Sequence, residues 1–144
     1  MTSYTGGCTC GAVRYEVTAE PVRSFQCQCR DCQRDTGAGH ASVAVFPRAA
    51  MRVTGDVVEN LRVADSGAEK RKGFCGNCGS PLYNKPHNVP DMIGVYVGTL
   101  DDPSIQASDG DVCGARTRMG SSRSGAAEGA VYAAFVLARP DFSA

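Results

Sequence analysis

The sequence has no tryptophan, only two histidines, and only five tyrosines and five phenylalanines. An excess of charge of either sign is also missing, because 15 basic side chains balance 15 acidic ones. Holding nucleic-acid phosphates requires an excess of basic side chains, and base stacking requires exposed aromatic ones, so we expect no nucleic-acid partner. We interpret the main basic run, Lys70-Arg71-Lys72, as the solvated face of a strand or turn.

The chain also lacks a long apolar segment, so we expect no membrane-spanning helix. Residues 1–7 have neither the basic start nor the apolar core of a secretion signal. We therefore expect a cytoplasmic protein whose thiols stay reduced. Its 144 residues are enough for one domain with a hydrophobic core, and we predict a single domain over 1–144.

Cysteine is the residue that the chain has in excess, with eight copies. Seven of them form three clusters, namely Cys8 with Cys10, Cys27 with Cys29 and Cys32, and Cys75 with Cys78. A disulfide framework is the alternative, but a reducing compartment and such short spacings favour thiols that converge on a metal ion. The eighth, Cys113, stands alone, and we expect a free thiol there, with a role as an extra metal ligand as the alternative.

The clusters divide into four ligands and three. A structural zinc ion is closed by four protein ligands, whereas a catalytic zinc ion has three and keeps one open position. Two of the clusters together supply the closed site, with the ligands Cys8, Cys10, Cys75 and Cys78. The third supplies an open site, with the ligands Cys27, Cys29 and Cys32. We thus predict two zinc ions per chain and place the chemistry at the open one.

The rest of the sequence favours strands. Val13, Tyr15 and Val17 alternate with polar residues, as in a half-buried strand. Short apolar segments bounded by glycine or proline predict further strands over 42–46, 51–54, 57–63, 70–74, 81–83 and 92–97. One helical turn over 29–33 would bring Cys32 back beside Cys29. We predict a mainly β, antiparallel domain whose loops carry the cysteines.

Four stretches carry a resemblance to a known family. They are GCTCGAVRY (7–15), CQCRDCQRDTG (27–37), FCGNCGSPL (74–82) and GTLDDP (98–103). In this order they resemble the glutathione-dependent formaldehyde-activating enzymes, or centromere protein V group, over about 4–106. The resemblance implies a β-tent fold and the same two zinc sites. It also implies carbon–sulfur lyase activity, in which glutathione is joined to formaldehyde and released from S-(hydroxymethyl)glutathione.

The chain departs from the family at two places. Position 28, often histidine in the family, is Gln28, which keeps a hydrogen-bonding side chain but cannot carry a proton. The family usually continues with a histidine-containing strand and a tryptophan, whereas 107–144 is rich in alanine, glycine, serine and arginine. Two alternatives would explain this atypical tail, namely an altered reading frame and a divergent ending. Within it, 126–138 has the composition of a helix.

Other side chains near the open site have candidate roles. The candidate substrate-binding residues are Gln28, Arg30 and Arg34. The two arginines would bind carboxylates of a glutathione-like ligand, with ordinary exposed arginines as the alternative. His40 and His87 are the available imidazoles, and we favour a structural or surface role for both over proton transfer or metal coordination. We expect Asp31 to cap a loop, with a role as a base as the alternative.

Two functions follow from these features. The first is a zinc-dependent carbon–sulfur lyase acting on an adduct of glutathione, or another thiol, with an aldehyde. Three thiolates weaken zinc as a Lewis acid and suit it to hold a substrate thiol. The alternative is a noncatalytic zinc- and thiol-binding module or glutathione carrier, which Gln28 and the altered ending favour.

Overall fold

A computed structural model describes residues 2–64, 67–102 and 104, together with the backbone of 109–111. Cys113 and the helix predicted over 126–138 lie outside the described residues. No helix in the described part of the chain has the length and apolar character needed to cross a bilayer.

Strands dominate the described residues. In chain order they are β1 (Tyr4–Gly7), β2 (Arg14–Val17), β3 (Arg23–Cys27), β4 (Ala41–Pro47), β5 (Met51–Thr54), β6 (Val57–Val63), β7 (Glu69–Cys75), β8 (Pro81–Pro86), β9 (Met92–Tyr96) and β10 (Asp109–Asp111). One α-helix, α1 (Arg30–Thr36), lies between β3 and β4, and 3-10 turns occupy Arg48–Ala50 and Val97–Thr99.

The strands described form two sheets. A three-stranded sheet has the order β1-β2-β5, and a seven-stranded sheet has the order β10-β3-β4-β9-β8-β7-β6. Neighbouring strands are antiparallel except β10 and β3, which are parallel. The predicted mainly β, antiparallel architecture is confirmed.

Strand β2 shows the predicted alternation. Val13, Tyr15 and Val17 are buried, whereas Arg14 and Glu16 are exposed.

Strand β1 was not predicted, because Tyr4-Thr5-Gly6-Gly7 has no apolar alternation. It forms by pairing with β2, and a side chain at Gly6 would place its Cβ 2.3 Å from the Tyr15 hydroxyl.

The seven-stranded sheet separates two apolar clusters, because side chains along a strand alternate between its faces. Ala44, Phe46 and Val95 belong to a larger core shared with the three-stranded sheet. Val43 and Tyr96 belong to a smaller cluster on the other face. Cys8 and Cys75 are part of the larger core, whereas Cys32 of α1 packs on the smaller cluster. The first and third cysteine clusters therefore belong to one face, and the central cluster belongs to the other.

Candidate metal centres

The four-cysteine centre joins the first and third cysteine clusters. Cys8 and Cys10 follow β1, and Cys75 and Cys78 lie at the end of β7 and in the turn after it. Their Sγ atoms all lie within 4.8 Å of one another. The Sγ atoms of Cys8 and Cys10 are 3.5 Å apart, and those of Cys10 and Cys75 are 3.8 Å apart. The fold thus brings together the four residues that the sequence analysis grouped.

Neighbouring donors stabilise negative charge on the sulfurs of Cys8, Cys10 and Cys78, whereas the pKa of Cys75, despite a hydrogen bond from the Cys78 backbone, is raised by burial to about 11. The Val13 backbone N–H donates to Cys8 Sγ at 3.2 Å, and Asn77 Nδ2 donates to Cys10 Sγ at 3.2 Å. Hydrogen bonds from the side chain and backbone of Ser80 lower the pKa of Cys78 to about 5. Metal binding requires the thiolate form, so these donors favour a metal-binding state.

The three-cysteine centre lies where β3 meets α1. Cys27 ends β3, and Cys29 caps α1, its sulfur accepting a hydrogen bond from the Cys32 backbone N–H at 3.4 Å. The Sγ atoms of Cys27 and Cys29 are 3.5 Å apart, and all three sulfurs lie within 4.8 Å of one another. The helix extends to Thr36, beyond the single turn predicted, and ends at Gly37, whose φ of 69° is left-handed.

The spacing of the thiols fits a metal ion better than disulfides. With zinc–sulfur bonds of about 2.3 Å, tetrahedral ligands lie roughly 3.8 Å apart, whereas sulfurs in a disulfide are about 2.05 Å apart. The seven described cysteines are all free thiols. Each group could therefore hold a metal ion, and the all-sulfur donor sets suit a soft ion such as zinc.

The other predicted site residues lie around α1 or farther away. Arg30 and Arg34 are exposed on α1, and Arg30 donates to the Gln33 side chain at 3.0 Å. The Gln28 carbonyl accepts a hydrogen bond from Gln33 Nε2 at 3.1 Å. Asp31 is buried in the first helical turn, and the side chain that caps the helix is that of Cys29.

The described residues place no histidine in either cysteine group. His40 is half-buried, and its carbonyl accepts a hydrogen bond from the Thr36 hydroxyl at 3.0 Å. His87 is exposed, and its backbone N–H donates to the Glu69 carbonyl at 3.0 Å. Both observations agree with the structural and surface roles that we favoured.

A group of charged residues beside the three-cysteine centre was not predicted. The side chain of Asp35, on α1, is 2% exposed and faces Lys70 and Lys72 of β7, which are 18% and 14% exposed. Lys72 Nζ lies 2.6 Å from Asp35 Oδ1, and Lys70 Nζ lies 3.6 Å from Oδ2. The solvated-face interpretation is therefore wrong for Lys70 and Lys72, while Arg71 between them is exposed. The sequence did contain a signal for this difference. Side chains alternate between the two faces of a strand, so Lys70 and Lys72 share a face and Arg71 lies on the other.

Tyr96 lies beside this centre and forms a hydrogen bond with Asn84. Tyr96 is buried in the apolar cluster on which Cys32 packs. Burial, together with the negative charges of Asp35 and Cys32, raises the pKa of Tyr96 despite a hydrogen bond with Asn84. Its hydroxyl therefore stays protonated and can donate. Gly94 makes room for Asn84, since a Cβ there would lie 2.9 Å from the Asn84 amide oxygen.

Comparisons with known proteins place these features in a family. The sequence model of the glutathione-dependent formaldehyde-activating enzyme matches residues 3–113. A crystal structure of a Rhodobacter sphaeroides protein is similar with a TM-score of 0.58 and 23% identity, covering 74% of this chain and 98% of that one. This likeness shows the fold, and with the two mainly antiparallel sheets it confirms the predicted β-tent architecture.

Fungal relatives named after the same enzyme are also similar. A Penicillium rubens protein is 32% identical over 112 residues, which cover 72% of this chain and 58% of the relative. A Colletotrichum graminicola protein is 28% identical, with the same two coverages. The chain thus spans little more than half the length of these curated relatives. With the family match over most of its residues, the chain belongs to the glutathione-dependent formaldehyde-activating enzyme family.

Proposed function

We propose that this protein is a zinc-dependent carbon–sulfur lyase acting on an adduct of glutathione, or another thiol, with an aldehyde, such as S-(hydroxymethyl)glutathione. The observation that carries the proposal is the convergence of Cys27, Cys29 and Cys32, with no fourth cysteine, histidine or carboxylate grouped with them among the described residues. Three ligands leave a coordination position for a substrate. The free thiols fit a reducing compartment, and we propose the cytoplasm.

The two centres have different proposed roles. Cys8, Cys10, Cys75 and Cys78 would close a structural site, because four ligands fill tetrahedral coordination and the group ties β1 to β7. Cys27, Cys29 and Cys32 would hold the reactive ion. Two zinc ions per chain follow from this division.

Cleavage of the adduct breaks the bond between sulfur and the carbon of the aldehyde. The hydroxyl proton of the adduct passes to solvent water, the oxygen forms the carbonyl, and the electrons of the carbon–sulfur bond pass to the sulfur. A zinc ion at the three-cysteine centre would hold that sulfur and stabilise its negative charge. Gln28 offers an amide for hydrogen bonding but no titratable proton, and Tyr96 keeps a protonated hydroxyl in the cluster beside Cys32.

Substrate recognition would involve the exposed residues of α1. Arg30 and Arg34 are four residues apart on the helix and exposed, so their guanidinium groups are available to carboxylates of glutathione. Forked hydrogen bonds between guanidinium and carboxylate would orient the peptide while its sulfur enters the three-cysteine centre.

A second candidate function is a noncatalytic zinc- and thiol-binding module or glutathione carrier. Gln28 favours it, because the amide cannot move a proton inside the cysteine cluster. Such a module would bind glutathione at the same centre and leave the rate of adduct cleavage unchanged.

Metal analysis of the wild type and of Cys29→Ser, with glutathione-binding calorimetry, tests the site. We expect the zinc content to fall from two ions per chain in the wild type to one in Cys29→Ser. Glutathione binding should be lost in the variant. Formaldehyde release from S-(hydroxymethyl)glutathione then separates the two functions. A wild-type rate above the uncatalysed rate, lost in Cys29→Ser, supports the lyase. Glutathione binding without rate enhancement supports the carrier, and unchanged binding in Cys29→Ser contradicts both.

A further inference from the structure

The face of the large sheet beside the three-cysteine centre carries a row of cations. Lys70 and Lys72 are two residues apart on β7, so their side chains lie on the same face. Arg62 of β6 pairs directly with Lys70 across the strands and shares this face. Arg71 points to the other face and is exposed. Three positive side chains therefore border the helix that carries Cys29 and Cys32.

Asp35 holds the lysines in place but does not balance the cations. Its carboxylate is 2.6 Å from Lys72 Nζ, 3.6 Å from Lys70 Nζ and 4.0 Å from Arg62 Nη1. Its Oδ2 atom is buried and accepts no hydrogen bond from the described residues. Lys72 is thus the closest ion-pair partner of Asp35, while Lys70 is farther from the carboxylate, which therefore offsets its positive charge less.

Lys70 lies next to the helix of the three-cysteine centre, because its Nζ atom is 3.6 Å from Oδ2 of Asp35, which is three residues after Cys32 on α1 and so shares a helix face with it. Burial alone would lower the pKa of Lys70, but the negative charges of Cys32, Asp35, Cys29 and Asp31 outweigh it and raise the pKa. Its ammonium group therefore stays charged beside the three-cysteine centre, with most of its side chain out of water. Electrostatic effects are strong in such a setting, because solvent screens them poorly.

The effect of Lys70 on ligand binding depends on the net charge of the metal centre. Three thiolates around a divalent cation carry a net charge of about minus one, and an incoming thiolate makes it about minus two. A neutral fourth ligand would leave the charge unchanged. A fixed cation nearby therefore favours an anionic sulfur over a neutral ligand.

We propose that Lys70 is a specificity-determining residue that selects the ionised sulfur of a thiol as the fourth ligand of the three-cysteine centre. The ion pair with Asp35, at 3.6 Å, places the ammonium group of Lys70 against α1. The inference rests on the proposed function, since it assumes a metal ion at Cys27, Cys29 and Cys32. It adds that the protein recognises the charge on the sulfur itself, apart from any contact with the rest of the thiol.

The test uses the full chain loaded with cobalt(II), whose absorption spectrum reports thiolate binding. The variants are Lys70→Met, Lys70→Gln, Lys70→Arg and the neighbouring control Arg71→Met. Each is titrated with 2-mercaptoethanol, which has no carboxylate, with glutathione, and with imidazole as a neutral ligand. Cobalt content and circular dichroism establish that each variant is loaded and folded, and Lys70→Gln replaces Lys70→Met if the latter does not fold.

We expect Lys70→Met to lower the affinity for both thiols by about tenfold or more, and to a similar extent for each. The affinity for imidazole should change little. Lys70→Arg should retain most of the affinity, and Arg71→Met should match the wild type. Unchanged thiol affinity in Lys70→Met overturns the inference, and so does a loss confined to glutathione, which would mean a contact with its carboxylates. A fully loaded wild type that binds neither thiol overturns the proposed function and this inference with it.

Discussion

Lys72 Nζ lies 2.6 Å from Oδ1 of Asp35, and this ion pair connects β7 to α1. Asp35 is almost fully enclosed, with 2% of its side chain exposed. The pair joins α1, which contains Cys32 and is capped by Cys29, to the strand that ends at Cys75 of the four-cysteine centre. One strand, β7, thus contacts the helix of one centre and supplies a cysteine to the other.

Replacing Asp35 should destabilise the fold. Asp35→Ala leaves Lys70 and Lys72 without their shared carboxylate in a poorly solvated position. We therefore expect the free energy of unfolding to fall by about 3 kcal/mol. Urea denaturation measures the difference. The control Asp91→Ala removes an exposed carboxylate and should change stability by less than about 0.5 kcal/mol. Equal effects of the two substitutions would show that the ion pair is not important for stability.

Loss of a cysteine should have different consequences at the two centres. Cys75→Ser removes a buried member of the group that ties two sheets together, so we expect a large fall in thermal stability along with one metal ion. Cys29→Ser should also lose one metal ion but stay folded, because that centre lies within one sheet and its adjoining helix. Melting curves with metal analysis decide the matter, and a lower melting temperature for Cys29→Ser than for Cys75→Ser contradicts the assignment.

Gly55 should tolerate alanine less than another glycine of similar backbone conformation. Its φ is 90°, and an added Cβ would lie 2.1 Å from the Ala12 carbonyl oxygen. Gly37 has a φ of 69° but open space around it. Gly37→Ala should cost about 1–2 kcal/mol for left-handed backbone alone. Gly55→Ala should cost about 1–3 kcal/mol more, because the backbone must shift. Similar unfolding free energies for the two variants would refute this steric argument.

Stability should decline at alkaline pH through the buried tyrosines. Burial raises the pKa of Tyr15 to about 12 from its ordinary value of 10.0, although the Thr99 hydroxyl, 2.7 Å away, opposes the shift. Between these pH values the unfolded chain loses the tyrosine proton and the folded protein keeps it. The stabilisation is therefore complete below about pH 10 and is lost as pH rises to about 12, by on the order of 2–3 kcal/mol.

Tyr15→Phe provides the comparison for this pH effect. The variant lacks the titrating hydroxyl, so its unfolding free energy should fall less steeply above pH 10 than that of the wild type. It should also be less stable by about 1 kcal/mol at neutral pH, because the hydrogen bond to Thr99 is lost. Identical alkaline slopes would mean that Tyr15 is not protected from ionisation in the folded protein.

Local pattern was enough to predict much of the sheet and the grouping of the cysteines. Alternation predicted β2, and apolar segments between turn residues predicted most of the later strands. Strand β3 was missed because Phe25 lies among the polar residues Arg23, Ser24 and Gln26, so the segment shows no apolar alternation. Its pairing with β4 forms it nonetheless, since backbone hydrogen bonds do not depend on side-chain pattern.

The sequence by itself determined which thiols group together, because short spacing forces neighbouring cysteines to share a loop and four ligands suffice for a closed metal site. Only the tertiary structure decided what surrounds each group. Lys70 and Lys72 are 38 or more residues from Cys32 in the chain, yet the antiparallel register of β6, β7 and β8 places them on the face where α1 packs. Such long-range placement depends on strand order and side-chain direction, which local composition does not encode.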